Sequence, residues 1–198
     1  MNYLAHAYLS FNEPEILAGN MLSDFVKGKK KFDFTKGIQN GIALHRAIDE
    51  FTDYHQATII AKQYFRPVYR LYSGAFIDVI YDHFLANDVN EFEDERSLAD
   101  FAHNTYAQLS LFNGVFPERF RMLFPFMERY NWLYNYRFMY GIKGSFQGLV
   151  RRAKYMSESG TAYLLFETHY DELKSCYQNF FPSLKKFAND HLQLLIGN

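Results

Sequence analysis

The chain has very little cysteine and no long hydrophobic run. Cys176 is the only cysteine among 198 residues, so neither an internal disulfide nor a cluster of zinc-binding thiolates can form. No apolar run approaches the roughly 18–20 residues that cross a bilayer. The first fifteen residues, MNYLAHAYLSFNEPE, lack the basic and apolar regions of a secretory signal. We therefore expect a cytoplasmic protein with no membrane partner.

The chain also lacks an excess of charge of either sign. It carries 21 basic and 22 acidic side chains, for a formal net charge of −1. Such a balance gives no overall attraction to nucleic acid, so any basic binding surface must be local. With 48% hydrophobic and 22% charged residues, the composition excludes a disordered chain and is typical of a globular protein.

The β-branched residues that favour strands are scarce, at 10 Ile, 6 Val and 6 Thr, and no segment alternates with a period of two. By contrast, 19% of the residues are aromatic, which allows a large core to be built from few side chains. These features predict an all-α protein with an aromatic core.

Helix start and stop signals predict about seven helices. Asn12 and Pro14 indicate one N-terminus and Thr35 another, while Pro67 and Pro182 are expected to bend or interrupt long helices. No linker, repeat or low-complexity segment divides the chain, so residues 1–198 are predicted to form a single domain. Residues 2–10 are predicted to form a short first element, and the predicted helices that follow are 14–26, 35–52, 56–86, 95–110, 117–135, 143–156 and 161–190.

Polar side chains with helical i, i+4 spacing recur three times beside apolar faces. The pairs are His45 with Asp49, Asp78 with Asp82, and Asn20 with Asp24. Each pair shares one stripe of a helix. A single pair is most often an ordinary surface or capping interaction. Several carboxylates at the edge of one core would repel each other unless a cation were present, and carboxylates with imidazole suit Mn²⁺, Mg²⁺ or Fe²⁺.

Several segments, in this order, are those of a known family: MNYLAHAYLS, GNMLSDFVKG, GIALHRAIDEFTDYH, IDVIYDHFLA and HYDEL followed by FFP. The chain resembles the acyl carrier protein phosphodiesterase family, regarded as a divergent relative of the HD-domain metal-dependent phosphohydrolases. The resemblance covers nearly the whole chain and is weakest over residues 87–140. The residues matching the family's motifs are His6, Asn20, Asp24, His45, Arg46, Asp49, Asp53, Asp78, Asp82, His83, His169 and Asp171.

The resemblance implies a helical, Mn²⁺-dependent enzyme that hydrolyses 4′-phosphopantetheine from holo acyl carrier protein to give the apo protein. Asp82 and His83 form the reverse of the superfamily's His-Asp dipeptide, so ligand roles cannot be copied from it. Val89 stands where the family commonly has Trp, which affects a packing contact rather than the chemistry.

On this hypothesis each candidate residue has an expected role. One or two Mn²⁺ ions, with Mg²⁺ or Fe²⁺ as alternatives, are expected at four ligands. Asp24 is a further ligand or the base for the attacking water, and His83 is the candidate acid for the leaving serine oxygen. Arg46 is expected to hold a phosphoryl oxygen, with an exposed side chain or a pair with Glu50 as the alternative. The four expected ligands are His45, Asp49, Asp78 and Asp82.

An acidic carrier protein requires a local positive surface. Lys29 and Lys30, in the basic segment 27–31, are the first candidates for binding it, and plain solvated lysines are the alternative. Further basic clusters are Arg151, Arg152 and Lys154, and Lys185 with Lys186. The aromatic segment 124–140 resembles a base-stacking platform, but helical spacing favours core packing, and part of it is a candidate lining for the pantetheine arm.

Two other functions are compatible with the same residues. A phosphohydrolase acting on a small phosphodiester or nucleotide would keep the metal site and make the basic clusters irrelevant. A non-catalytic helical binding module would use the carboxylates structurally and bind no metal.

Overall fold

The computed structural model describes residues 1–197, and these form eleven α-helices without a strand. The all-α prediction is therefore confirmed, while the HD-like topology stays a prediction. Within residues 1–197 no helix is both long enough and apolar enough to cross a membrane. The helices are α1 (Tyr3–Tyr8), α2 (Pro14–Leu22), α3 (Lys36–Tyr54), α4 (Gln56–Tyr69), α5 (Ser73–Ala86), α6 (Glu95–Ser110), α7 (Glu118–Arg129), α8 (Trp132–Asn135), α9 (Met139–Arg152), α10 (Gly160–Thr168) and α11 (Tyr170–Ile196).

The helix count exceeds the predicted seven because the short first element is itself the helix α1 and three long predicted helices are each divided in two. The divisions fall at Arg70 and Asn131, whose φ angles are 48° and 43°, and at His169. A positive φ cannot continue a right-handed helix. The two prolines expected to bend or interrupt helices, Pro67 and Pro182, lie inside α4 and α11, so neither of them ends its helix. Pro67 is exposed, so water can replace the hydrogen bond that proline cannot make.

The predicted helix starts are partly correct. Pro14 occupies the first turn of α2, as predicted, but the N-cap is Glu13 rather than Asn12, which has a φ of 63°. Thr35 caps α3 as predicted, because its side-chain oxygen accepts a hydrogen bond from the backbone N–H of Ile38.

Helices α2 and α3 pack against each other at a pair of glycines. A Cβ on Gly41 would lie 2.3 Å from the carbonyl oxygen of Ile16 and 2.9 Å from the Cα of Gly19. A Cβ on Gly19 would lie 2.1 Å from the carbonyl oxygen of Ile38. Only glycine fits at these positions. The close approach places the C-terminal half of α2 beside the N-terminal half of α3.

Helix α1 is held against the buried helix α5 by a carboxylate. Asp82 is fully buried, and its oxygens accept hydrogen bonds from the backbone N–H groups of Asn2, Leu4 and Ala5 at 3.3, 2.7 and 3.3 Å. These are donors that the first turn of a helix leaves without an intrahelical partner. The contact fixes the start of α1.

The core is aromatic, as predicted, and every one of the eleven helices contributes buried side chains to it. In the segment 124–140, Phe124 and Tyr136 are buried, while Tyr130 and Tyr140 are exposed. The segment therefore packs on the core with some side chains and leaves others at the surface.

Candidate metal and phosphate site

Three side chains from two helices meet where α1 packs against α3. The Nε2 atom of His6 lies 3.2 Å from one carboxylate oxygen of Asp49, and the Nε2 atom of His45 lies 3.1 Å from the other. The two imidazole rings are stacked, with centroids 3.9 Å apart. One potential ligand atom from each of the three residues lies within 4.8 Å of the other two. This is a compact donor set of two nitrogens and a carboxylate.

Asn20, at the end of α2, orients both imidazoles. The Nδ1–H group of His45 donates to the backbone carbonyl oxygen of Asn20 at 2.7 Å, and Nδ1 of His6 is 2.8 Å from the Asn20 side-chain oxygen. The Asn20 amide in turn donates to the carbonyl oxygen of His6 and to the hydroxyl of Ser10. Because Nδ1 is occupied on both rings, each Nε2 faces Asp49. This is the arrangement in which a neutral histidine presents a lone pair to a metal.

Both Nε2 atoms are buried, and their polar neighbours are carboxylates: Asp49 for both rings, and also Asp24 for His45. Burial and the neighbouring His45 lower the pKa of His6 to about 4. Burial by itself would also lower the pKa of His45, but the nearby Asp24 and Asp49 outweigh it and raise that pKa to about 9. Burial favours the neutral form of Asp49, yet the two imidazoles hold its pKa well below the usual range. Two buried imidazole nitrogens that converge on one carboxylate form a donor set that a divalent cation would bind.

Asp24 stands at the solvent side of this cluster. It lies in the 3₁₀ turn Ser23–Phe25 that follows α2, and its Oδ1 atom is 3.3 Å from Nε2 of His45. The proximity of His45 lowers the pKa of Asp24. The side chain is 71% exposed, so this carboxylate is both charged and accessible to substrate or water.

Asp78 lies at the other edge of the cluster. The amino group of Met1 is 3.1 Å from Oδ1 of Asp78 and 3.4 Å from Oδ1 of Asp49. Burial raises the pKa of Asp78. Of the four predicted metal ligands, the structure thus brings His45 and Asp49 into one cluster and Asp78 next to it.

The fourth predicted ligand, Asp82, and the predicted acid, His83, lie elsewhere. Asp82 uses its oxygens to cap α1, which favours a structural role over metal binding. His83 is buried, with Nδ1 2.7 Å from the carbonyl oxygen of Tyr136 and Nε2 3.1 Å from the hydroxyl of Tyr170. Its ring also packs against Phe166. This environment favours a core role over proton donation.

The predicted phosphate ligand Arg46 also lies away from the carboxylates. Its guanidinium donates to the carbonyl oxygen of Val26 at 3.3 Å and lines a separate cavity with Lys31 and Glu50. Lys29 and Lys30 are exposed in the 3₁₀ turn Gly28–Asp33, a few residues after Asp24.

Two arginines that the sequence analysis did not assign to phosphate lie on the site. Arg119, at the start of α7, and Arg152, at the end of α9, line a cavity of about 380 Å³ together with Asp24 and Asp78. Neither arginine forms an ion pair with a carboxylate of residues 1–197. They come from segments far along the chain, so no local spacing pattern could have linked them to Asp24.

Other motif residues have local roles. Asp53 pairs with Lys62 at 2.7 Å, and the ring of His169 stands 4.4 Å from that of Tyr64. His6, which the sequence analysis matched to the family without assigning a role, is the main addition to the site.

The family model described as acyl carrier protein phosphodiesterase matches residues 1–184 of this chain. Three similar proteins carry the name acyl carrier protein phosphodiesterase. The Photorhabdus laumondii protein is 30% identical over 190 residues, which is 96% of each chain. The Enterobacter sp. (strain 638) protein is 32% identical over 184 residues, or 93% of this chain and 95% of the relative. The Yersinia pestis protein is 30% identical over 194 residues, or 98% of this chain and 100% of the relative.

No solved structure matches the chain significantly. The match of the family model to nearly the whole chain, together with these full-length relatives, settles its classification: the chain belongs to the acyl carrier protein phosphodiesterase family.

Proposed function

We propose that this protein is a metal-dependent phosphodiesterase that hydrolyses 4′-phosphopantetheine from holo acyl carrier protein, leaving the apo protein. The names of the family and of its relatives support the substrate. The single observation that carries the metal dependence is the convergence of two buried Nε2 atoms, on His6 and His45, on the carboxylate of Asp49.

The donor set fits a divalent cation that accepts both nitrogen and oxygen. Imidazole suits Fe²⁺ and other late transition metals, and carboxylate suits Mn²⁺ and Mg²⁺. Two nitrogens in the set favour Mn²⁺ or Fe²⁺ over Mg²⁺. His6, His45 and Asp49 would hold the ion, with Asp24 or Asp78 completing its protein ligands. When bound, it supplies Lewis-acid stabilisation of the negative charge that develops on the phosphoryl oxygens.

The remaining residues of the site position the phosphodiester and accept a proton. Arg119 and Arg152 are the candidates for holding the phosphoryl oxygens, because an arginine fork matches phosphate geometry. Asp24, which is charged and exposed, is the candidate base for the attacking water. The roles proposed here for these arginines replace the one expected for Arg46.

The reaction consumes one water molecule. Its oxygen forms a new bond to phosphorus, the bond from phosphorus to the carrier serine oxygen breaks, and that serine oxygen takes up one proton while another passes to the base. His83 is not the proton donor in this proposal, because both of its ring nitrogens already contact Tyr136 and Tyr170. The cytoplasm, where we expect this protein, supplies both substrate and metal.

The test is to incubate holo acyl carrier protein with this protein and Mn²⁺, with and without chelator, and to measure the intact mass of the carrier. We expect the loss of one phosphopantetheine in the presence of metal and none with chelator. His6→Gln and His45→Gln should each lower both Mn²⁺ affinity and activity by at least ten-fold. His103→Gln, an exposed histidine outside the site, should match the parent.

Two outcomes would contradict the proposal. If the folded, metal-loaded protein leaves the carrier mass unchanged but cleaves a small phosphodiester, the substrate is wrong and the small-phosphodiester function replaces it. If the protein binds no Mn²⁺ and cleaves neither substrate, the carboxylates are structural and the chain is a binding module.

A further inference from the structure

A second cavity, of about 480 Å³, continues from the candidate site along helix α9. Its volume falls within the range of about 300–1,000 Å³ typical of small-molecule pockets. Asn2, Tyr3 and Arg152 line both this cavity and the one that contains Asp24 and Asp78. A ligand whose phosphate lies at Arg152 can therefore extend from the carboxylates into the second cavity without leaving the protein surface. We call this second cavity the α9 groove.

The α9 groove is lined by aromatic side chains and by glycines of α9. Trp132 and Tyr140 are among the aromatic residues that line it, and Gly144 and Gly148, about one turn apart on α9, line it as well. The ring of Trp132 also lies 6.2 Å from that of Tyr3, at the junction of the two cavities. A lining rich in aromatic side chains suits an apolar chain that carries a few polar groups.

Gly144 has no packing reason to be glycine. A Cβ at Gly141 would lie 2.0 Å from the carbonyl oxygen of Asn135, so the backbone requires glycine there. A Cβ at Gly144 would have no heavy atom within 4 Å. Glycine destabilises a helix interior relative to other residues. Because Gly144 has no side chain, the groove has open space at this position.

The length of the groove matches one part of the proposed substrate. From Gly141 to Arg152, helix α9 advances about 16 Å at 1.5 Å per residue. The pantetheine arm has about twelve bonds from its phosphate-linked oxygen to its thiol, equivalent to about four extended residues, or roughly 14 Å. The arm also combines methylene and methyl groups with two amides.

We propose that the α9 groove binds the pantetheine arm of the substrate, with its phosphate end at Arg152 and its thiol end towards Tyr140. This inference rests on the function proposed above, which supplies the substrate. The contacts would fix the phosphodiester beside Asp24, and they would distinguish the prosthetic group from phosphodiesters without an arm.

The test is a substitution that places a larger side chain in the groove at Gly144. Gly144→Leu places a side chain in the open space described above, and Gln147→Leu, at an exposed position of α9 that does not line the groove, is the matched control. Since the substitution replaces a helical glycine, the thermal midpoint of Gly144→Leu is expected not to fall. We expect Gly144→Leu to lower kcat/KM for holo acyl carrier protein at least ten-fold and Gln147→Leu to change it less than two-fold.

Binding can be measured without turnover, because Trp132 is the only tryptophan of the chain. Pantetheine and 4′-phosphopantetheine are each titrated while the tryptophan emission is recorded, with inorganic phosphate as a further probe. We expect a saturable change with both ligands in the parent and in Gln147→Leu, and at least a ten-fold weaker response in Gly144→Leu. Inorganic phosphate alone should leave the emission unchanged.

The outcomes separate this inference from the proposed function. If pantetheine does not change the parent's emission, or if Gly144→Leu binds and cleaves like the parent, the α9 groove does not hold the arm. If the parent binds pantetheine in the groove but does not cleave holo acyl carrier protein, the groove assignment stands and the proposed reaction is wrong.

Discussion

At the scale of single residues, Asn20 is the residue on which the orientation of both histidines depends. Its backbone carbonyl and its side-chain oxygen each accept from a different imidazole. It is completely buried, so no water can take its place. Partners of this kind fix the tautomer of a metal-binding histidine and typically change metal affinity by about 10–100-fold.

Asn20→Ala should therefore lower Mn²⁺ affinity by about 10–100-fold, because His6 loses the acceptor for its Nδ1–H group. The buried Nδ1–H group of His6, left without its acceptor, should also lower the free energy of unfolding by about 1–3 kcal/mol. Calorimetric titration with Mn²⁺ and chemical denaturation measure the two effects. Asn179→Ala, at an exposed position of α11, should change neither. Parent-like affinity in Asn20→Ala would refute the orienting role.

A substitution at Asp82 can distinguish its predicted role as a metal ligand from its observed role as the cap of α1. Asp82→Asn replaces one acceptor oxygen by an NH₂ group that faces backbone N–H donors, so we expect a loss of about 1–3 kcal/mol in unfolding free energy. The folded variant should still bind Mn²⁺ with the parent's stoichiometry. Loss of the ion from a variant that remains folded would restore Asp82 to the metal site. Asp100→Asn, in an exposed pair with Arg96, is the control.

These residues also show what the sequence could and could not predict about the site. His45 and Asp49 are one turn apart on a single helix, so their proximity follows from local spacing. His6 and Arg152 reach the site from other helices, and their proximity depends on tertiary packing that no spacing encodes. Asp82 and His83 differ by about 100° of helix rotation, and that rotation places one under α1 and the other in the aromatic core.

At the scale of helices, the contact between α2 and α3 controls the geometry of the site. Gly41 precedes His45 by about one turn, and Gly19 directly precedes Asn20. The close approach at the two glycines is therefore what brings the carbonyl oxygen of Asn20 within 2.7 Å of His45. Any side chain at either glycine has to push these helices apart.

Gly41→Ala should lower the free energy of unfolding by about 1–3 kcal/mol, as overpacked cores do. It should also weaken Mn²⁺ binding in the molecules that remain folded, because His45 moves away from Asn20. Gly144→Ala is the matched control, since its added methyl meets no atom and the helix gains up to about 1 kcal/mol. Thermal unfolding with and without Mn²⁺ measures both. If Gly41→Ala is as stable as the parent, the helices do not depend on this contact.

Helix type was easier to predict than helix ends. The scarcity of β-branched residues and the absence of period-two alternation were sufficient for the all-α class. The breaks at Arg70 and Asn131 were missed, because positive φ at a residue other than glycine is decided by tertiary contacts rather than by local preference. Pro67 does not end α4, because a proline on an exposed helix face costs less than one in a packed interior.

At the scale of the whole molecule, the net charge of −1 means that attraction of an acidic carrier has to come from local basic groups. Arg119 and Arg152 line the candidate site, and Lys29 and Lys30 are exposed in the turn that begins four residues after Asp24. Exposed basic groups attract an acidic partner to the place where they stand, and Lys29 and Lys30 are the ones to test. The lysines are not needed to hold the phosphodiester, so their effect should be confined to encounter with the carrier.

The double variant Lys29→Glu/Lys30→Glu should raise KM for holo acyl carrier protein several-fold at low salt while kcat stays within two-fold of the parent. Since exposed charges are screened within about 8–10 Å at 0.10–0.15 M salt, the difference should shrink as salt is raised towards 0.5 M. Steady-state kinetics across a salt series measure both effects. Lys174→Glu, an exposed lysine of α11, reverses one charge away from this turn and should behave as the parent does. An unchanged KM at low salt would mean that the carrier docks elsewhere, while a fall in kcat would place the lysines in the chemical step instead.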